Sequence, residues 1–431
     1  MPRPTFPDYP DRCGWNAMLP PRTPAPAARG DIRADYAVVG AGYTGLAAAR
    51  RLAELDPQAR IVVLDAAEVG EGSSGRNSGF ASPTDIPGGT SPAALASAAA
   101  QDRLGQEGFD WLVALMERHG FGCGLHVSGR IKGAATERGE AVVRDMLATV
   151  RALGLPHALL GPDEMEQRIG TRYYRLGLFT EGGSLLDPAA LVRGLAGSLP
   201  GNVQLHERSP VRALQRDGTG WRLEADGATV AAPTVVMAAN AAVKHFGHLR
   251  DRIVTIYTYA GISAAMAPQD AARLGTMESW GLLACHRLGT TVRRVGPDRL
   301  MVRSLYAYER GLPAARVREE LRSRFHRRYP ALSHVDLEHV WGGTTALTMN
   351  GSPWWGRLDQ GLYGFAGCNG SGIVKGTVLG KRLAELIAGQ DTGDDVLAAF
   401  GTANRVAPEP FRTIGFHAIS AIERRRAGAE A

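Results

Sequence analysis

Short apolar runs separated by a helical pattern organise the first part of the chain. Tyr36-Ala37-Val38-Val39 is a run suited to a strand buried on both faces, and Ile61-Val62-Val63-Leu64 is a second. Between them, residues 46–55 are rich in Ala, Leu and Arg and predict a helix, so the three make one β–α–β unit of about 30 residues. Helical patterns recur over 93–118 and 137–153. From about 203 to 236 the period shortens to that of strands. Val211-Arg212-Ala213-Leu214 leads through a turn at Asp217-Gly218-Thr219-Gly220 into Trp221-Arg222-Leu223-Glu224. Residues 253–310 carry further short strands, with Tyr257, Tyr259, Tyr306 and Tyr308 expected to alternate between faces. From Leu362 to Ile387 a strand runs through a glycine cluster into a helix, and no internal repeat is visible. A β–α–β unit near one end and a glycine-rich strand–helix join near the other imply a cofactor lobe assembled from separated segments.

At 431 residues the chain exceeds what one hydrophobic core usually serves, which predicts two intertwined lobes. Hydrophobic residues at 44% and charged residues at 21% are ordinary for a soluble enzyme. No apolar stretch approaches the ~18 residues of a membrane span. The start, Met1-Pro2-Arg3-Pro4-Thr5-Phe6-Pro7, lacks the apolar core of a secretory leader, and a cytoplasmic location is expected. Cys13, Cys123, Cys285 and Cys368 form no CxxC pair, which argues against a disulfide frame or zinc site. The histidines, including His245, His248, His334 and His339, show no metal-ligand pattern, and no metal is expected. The net charge of +6 is carried by arginine, lysine occurring only at 132, 244, 375 and 381. The basic runs 322–328 and 424–426 are read as a solvated helix face and tail rather than a nucleic-acid stripe. A mild positive field still favours drawing an anionic substrate into a cleft.

The strongest chemical signal is Gly40-Ala41-Gly42-Tyr43-Thr44-Gly45, a GxGxxG between strand and helix. Gly40 permits the tight turn, Gly42 lets the backbone approach a pyrophosphate, and Gly45 lets the helix pack closely on the strand. The helix N-terminus then points its positive end at the phosphates. Asp65 ends the second strand, where a carboxylate accepts ribose hydroxyls. Ala66 and Ala67 follow it, so nothing basic awaits a 2′-phosphate and NADP is disfavoured. Next comes a glycine and hydroxyl cluster, Gly70-Glu71-Gly72-Ser73-Ser74-Gly75-Arg76-Asn77-Ser78-Gly79, able to cover an extended cofactor.

These residues resemble the D-amino-acid oxidase superfamily of flavoenzymes, which includes glycine, sarcosine and gamma-glutamylputrescine oxidases. The resemblance spans roughly residues 30–412. It implies an α/β, Rossmann-like FAD-binding domain interleaved with an antiparallel-sheet substrate domain of α+β character, of D-amino-acid oxidase/glutathione-reductase-like architecture. It also implies that 70–79 wraps FAD, that Ala239 and Asn240 follow a strand ending at the cofactor, and that Val211 lies at adenine. Gly367-Cys368-Asn369-Gly370-Ser371-Gly372-Ile373, opening the last helix, is similar to the family's C-terminal glycine segment at the flavin. Neither the cysteine nor the histidine that carries a covalent flavin in some members is present in the corresponding regions 341–345 and 74–77, so the FAD is expected to be non-covalent. The lysine that sarcosine-oxidase-like members hold over the flavin has no counterpart between Lys244 and Lys375. That leaves the acceptor open between O2 and another oxidant.

Amine oxidation by flavin asks mainly for position and field, so polar and aromatic residues on the substrate strands are the candidates. These are Tyr257, Tyr259, Arg303, Tyr306, Trp341 and Asn350, with Thr348 beside the flavin. An arginine among them would pair with an anionic group on the substrate. The expected division is an irregular lead segment (1–30, draped on the surface), an FAD domain (31–115, 185–245, 340–410), a substrate domain (116–184, 246–339) and a helical tail (411–431). The leading expectation is an FAD enzyme taking a hydride from the carbon next to an amine nitrogen in a small primary or secondary amine or amino acid. An imine and then a carbonyl product would follow. A 2-hydroxy-acid oxidoreductase of the same fold and an NAD-dependent dehydrogenase are the alternatives. The oligomeric state is open.

Overall fold

The two buried apolar runs pair directly as parallel strands, Tyr36–Val39 beside Ile61–Leu64, in a computed structural model that describes residues 9, 11–83, 86 and 90–431. Around them a six-stranded sheet runs in the order Val203–His206, Ile61–Leu64, Tyr36–Val39, Thr234–Met237, Leu362–Ala366, Trp354–Asp359. All neighbours are parallel except the last pair. Both faces of this sheet are covered, which is why its strands read as continuous apolar runs. Val38, Ile61, Val63 and Val236 pack toward the helices, while Ala37, Val39, Val62 and Leu64 pack the other way, among Leu223 and Val230. The latter two belong to a four-stranded sheet, Gly30–Arg33, Ala228–Ala232, Gly220–Ala225, Val211–Asp217, that contains the expected hairpin. This cover sheet was not legible from the pattern, because its first strand and the hairpin lie almost 200 residues apart.

Helices Tyr43–Leu55 and Ile373–Ile387 pack side by side on the helical face of the parallel sheet. A Cβ on Gly380 would lie 2.3 Å from the Thr44 carbonyl oxygen, so glycine sets how closely they approach. Their N-termini therefore open on the same cavity. The eight-stranded second sheet runs Leu337–Thr348, Ile253–Ser263, Arg299–Tyr308, Thr291–Val295, Gly281–Ala284, Arg130–Ala134, Leu176–Thr180, His157–Leu160. Its pairs are antiparallel apart from Gly281–Ala284 with Arg130–Ala134. A separate core backs it, built on Trp280, Leu321 and Phe325.

Two expectations are corrected. The lead segment is not a surface drape: Gly14–Met18 is a short helix, Trp15 is 1% exposed, and its ring meets that of Trp341 edge-on at 6.3 Å. Nor do the four tyrosines alternate simply, because register shifts between Thr258 and Tyr259, and Leu305 adopts a positive φ of 62°. At the other end the tail docks on the body. Phe416 of helix Phe411–Ala427 stacks on Tyr308 at 4.3 Å, and the Glu430 carboxylate accepts the N–H groups of Ala135 (2.8 Å) and Thr136 (3.0 Å).

Candidate cofactor and active site

The parallel sheet, the two helix N-termini and one face of the eight-stranded sheet enclose a cavity of about 1080 Å3. The GxGxxG turn forms its floor. Gly40 has a φ of 108°, and a Cβ on Gly45 would lie 1.8 Å from the Gly40 carbonyl oxygen. Gly42 is the N-cap of helix Tyr43–Leu55 and offers no side-chain cap. Apart from the Tyr43 N–H, which reaches the Ser74 hydroxyl at 3.2 Å, that helix end is left for a ligand. Thr44 and Ala41 border the cavity beside them. Asp65 also borders it, and its carboxylate accepts the N–H groups of Ala41 (2.7 Å) and Ala67 (2.9 Å), which fixes the glycine turn. Burial raises the Asp65 pKa, and those two N–H groups pull it partly back. Ala66 lies in the wall next to it.

The segment 70–79 wraps one side. Ser73, Ser74, Gly75, Arg76, Asn77 and Ser78 all border the cavity. The Arg76 guanidinium is turned into protein, donating to the carbonyls of Glu71 (2.7 Å), Gly342 (3.0 Å) and Asp11 (2.8 Å) and to the Glu71 carboxylate (2.9 Å). Asn77 donates to the Ser74 carbonyl (2.6 Å) and accepts from Gly79 N–H (2.8 Å). Gly79 lies outside the cavity wall, its Cα face pressed on the Leu186 carbonyl. These residues thus shape the wall more through backbone than through charge.

On the opposite side, Asn369, Gly370, Gly372 and Ile373 border the cavity, with Gly372 as a second N-cap lacking a side-chain cap. Asn369 holds the join: its side-chain oxygen accepts from Thr348 N–H (2.9 Å) and its amide donates to the carbonyls of Gly351 and Gly367 (both 2.8 Å). Thr348 and Gly367 support this clamp from behind the wall. Val211, Ala239 and Asn240 also border the cavity. The side-chain oxygen of Asn240 is buried without a hydrogen-bond partner among the described residues. An acceptor without a partner and two helix N-termini whose N-cap residues make no side-chain cap, all bordering one cavity, are the features an extended dinucleotide with a pyrophosphate satisfies. The residues present therefore fit FAD.

Of the substrate-side candidates, Arg303 and Tyr306 come together. The guanidinium donates to the Tyr306 hydroxyl at 2.7 Å and lies 4.9 Å from its ring centroid, both residues bordering the cavity. Tyr259 borders it too, although its hydroxyl is taken by the Leu312 N–H. The other three are not in the wall. Trp341 is buried against Trp15 and donates to the Arg76 carbonyl, because the lead segment fills the space on its side of the sheet. Tyr257 stands off the cavity, on the opposite face of its strand from Ile256 and Thr258. Asn350 lies at the surface, donating to the Thr402 carbonyl and accepting from Asn404 N–H to fasten the last loop.

Tyr9, Arg130, Lys132, Arg287 and Lys375 are among the residues the sequence reading passed over that also border the cavity. The Arg-Ile-Lys alternation at 130–132 was the available signal, since it places both cations on one strand face. Lys132 comes from a strand more than a hundred residues upstream of Lys244. Cys368 also lies in the wall, its thiol 3.4 Å from the Thr345 hydroxyl. Among the described residues no histidine borders the cavity, and no group of His, Cys, Asp and Glu could hold a metal.

Glu207, whose side chain is fully buried, anchors the lead segment beside the cofactor wall through Arg22 (2.8 Å) and the N–H groups of Ala25 and Val69. Burial alone would raise its pKa. The hydrogen bonds from Arg22 and the two N–H groups outweigh that and hold it below the ordinary carboxylate value. A folded pKa below the unfolded one contributes stability above the ordinary carboxylate range, which is lost as pH falls through the depressed folded value. Acid titration followed by tryptophan fluorescence is expected to show a transition in that window, and Glu207→Gln to abolish it. A transition unchanged in the variant would assign it elsewhere.

The FAD dependent oxidoreductase (DAO) family model matches residues 35–386. The gamma-glutamylputrescine oxidoreductase of Escherichia coli is 26% identical over 374 residues, covering 85% of this chain and 86% of its own length. The glycine oxidase of Geobacillus kaustophilus is 25% identical over 391 residues, covering 87% and 98%. The crystal structure of glycine oxidase from Geobacillus kaustophilus superposes with a TM-score of 0.70 at 23% identity, covering 88% of this chain and all of that one. That of L-proline dehydrogenase from P. horikoshii gives 0.67 at 17% identity, covering 85% and 95%.

Proposed function

The chain belongs to the family of FAD-dependent oxidoreductases, and on that premise we propose that it oxidises a small primary or secondary amine or amino acid carrying an anionic group. Family membership sets aside the NAD-dependent reading. The choice between amine and 2-hydroxy acid rests on the relatives' names, for although no histidine borders the cavity among the described residues, Asp102, Lys132 and Lys375 do. Hydride loss from an alcohol leaves a hydroxyl proton that a positioned base must take, whereas a neutral amine drives the same loss with its own lone pair. The names of the relatives, glycine oxidase and gamma-glutamylputrescine oxidoreductase, support the amine.

FAD, when held non-covalently, supplies the acceptor for the hydride and its electron pair. The chain's own residues do the positioning. Arg303, steadied by Tyr306, is the group proposed to hold the substrate anion, and the sheet face from Thr258 to Leu283 bounds the space for the amine. Loss of hydride and a proton gives an imine, which water converts to a carbonyl product and amine or ammonia. The electrons pass to O2 or another oxidant. Lys132, which borders the cavity, is the cation proposed to stabilise negative charge building up on an acceptor such as oxygen.

The test is the visible spectrum of the holoprotein, recorded anaerobically as amines, amino acids and hydroxy acids are added. Bleaching of the flavin bands by an anionic amine is the expected result, with admitted air showing whether oxygen restores them. Bleaching by hydroxy acids alone would transfer the assignment to the alternative substrate class.

A further inference from the structure

We propose that Tyr9 together with residues 11–25 forms a clasp that retains FAD, so that a segment preceding the β–α–β unit is a working part of the cofactor site. The inference rests on the FAD site and is independent of the amine substrate.

Three observations carry it. First, Tyr9 itself borders the cavity. Its hydroxyl lies 2.8 Å from the Thr344 hydroxyl and 3.5 Å from that of Ser73, it accepts the Thr344 N–H at 3.1 Å, and the Arg76 guanidinium lies 4.2 Å from its ring centroid. It therefore bridges the wrapping segment 70–79 and the strand Leu337–Thr348 across the cavity edge. Second, the residues behind it tie down the wrapping segment from outside. Cys13 N–H (3.0 Å) and the Asn16 amide (2.7 Å) donate to the Glu71 carboxylate, the Cys13 thiol donates to the Gly75 carbonyl (3.1 Å), and the Trp15 indole to the Asn77 carbonyl (2.9 Å). Third, the far end is fastened by Glu207, which takes Arg22 and Ala25 N–H from the lead segment and the N–H of Val69, the residue just before the wrapping segment.

The wrapping segment needs this help for a physical reason. Between positions 70 and 79 it holds four glycines, at 70, 72, 75 and 79, and no large apolar side chain. Glycine loses the most backbone freedom on ordering, and this segment has little burial of its own to offset that cost. The lead segment supplies an apolar anchor instead, Trp15 buried against Trp341, and hands the resulting rigidity on through Glu71 and the backbone carbonyls. FAD covered by 70–79 leaves only when that segment lifts, and it lifts only when the clasp opens.

The experiment measures the rate at which holoprotein releases FAD on dilution, read by the recovery of flavin fluorescence, beside the melting temperature of the apoprotein. Tyr9→Phe removes one hydroxyl and is expected to release flavin about 3-fold faster, and Tyr9→Ala about 10-fold faster, with the apoprotein melting as the parent does. Trp15→Phe keeps an aromatic anchor but loses the bond to Asn77, and is expected to release FAD about 5-fold faster. Parent release rates in both Tyr9 variants would overturn the clasp. So would faster release matched by a fall in apoprotein melting temperature in the Tyr9 variants, because the segment would then be ordinary packing.

Discussion

Gly45→Leu is expected to yield protein that purifies without colour and takes up added FAD at least about 100-fold more weakly than the parent. A Cβ at that position would stand 1.8 Å from the Gly40 carbonyl oxygen, well inside contact distance. Gly40 cannot yield, because its own φ of 108° is set by the turn, and a Cβ there would meet the Ala238 carbonyl at 2.7 Å. The helix Tyr43–Leu55 must therefore move off the strand Tyr36–Val39, carrying its N-terminus away from where the phosphates bind. Overpacking of a tight contact costs roughly 1–3 kcal/mol in stability. The larger effect is on FAD, since the helix end and the Asp65-held turn act on the ligand only in register. Gly197→Ala is the matched control, a helical glycine with nothing within 4 Å of the added carbon, and it should bind FAD as the parent does. FAD titration by flavin fluorescence compares the two. Parent-like affinity in Gly45→Leu would mean that the motif does not hold the cofactor.

That variant tests the part of the molecule most legible in the sequence, and the reason is locality. Strand, glycine turn, helix and second strand lie within residues 36–65, and each apolar position faces one of the two cores its alternation predicts. The hairpin at 211–225 and the strand–glycine–helix join at 362–387 are likewise local. What the sequence hid was set by distant contacts. Trp341 looks like a pocket aromatic until Trp15, more than 300 residues upstream, is found against it. Asn350 sits in the right stretch of chain, but the last loop claims its amide. Asn369 borders the cavity, and its side-chain amide is committed to the backbone around Thr348, Gly351 and Gly367. Lys132 escaped notice because the strand that carries it joins the substrate sheet from before the helix Glu137–Ala152, and pairing order is not written in any window of sequence.

Arg303→Ala is expected to raise KM for an anionic amine on the order of 100-fold while leaving KM for a neutral amine of similar size within about 2-fold. Arg303 lies on strand Arg299–Tyr308, opposite Ala260 on one side and Thr291 on the other, small residues that leave its side chain room over the cavity. Its hydrogen-bond partner among the described residues is the Tyr306 hydroxyl, which steers the guanidinium without neutralising it. Truncating one member of a hydrogen-bonded charge pair costs about 2–5 kcal/mol when the partner charge is left without its match. At about 1.4 kcal/mol per factor of ten, the lower half of that range corresponds to the expected change. The loss falls on KM rather than kcat because the contact is made equally in the bound substrate and in the transition state. Arg303→Lys should restore only part of it, since a point charge cannot reproduce a planar two-pronged contact. Tyr306→Phe, which frees the guanidinium to wander, should raise KM by about 3- to 10-fold for the anionic amine alone. If Arg303→Ala weakens both amines equally, the arginine is shaping the wall and not reading charge, and the anion-bearing substrate class falls with it.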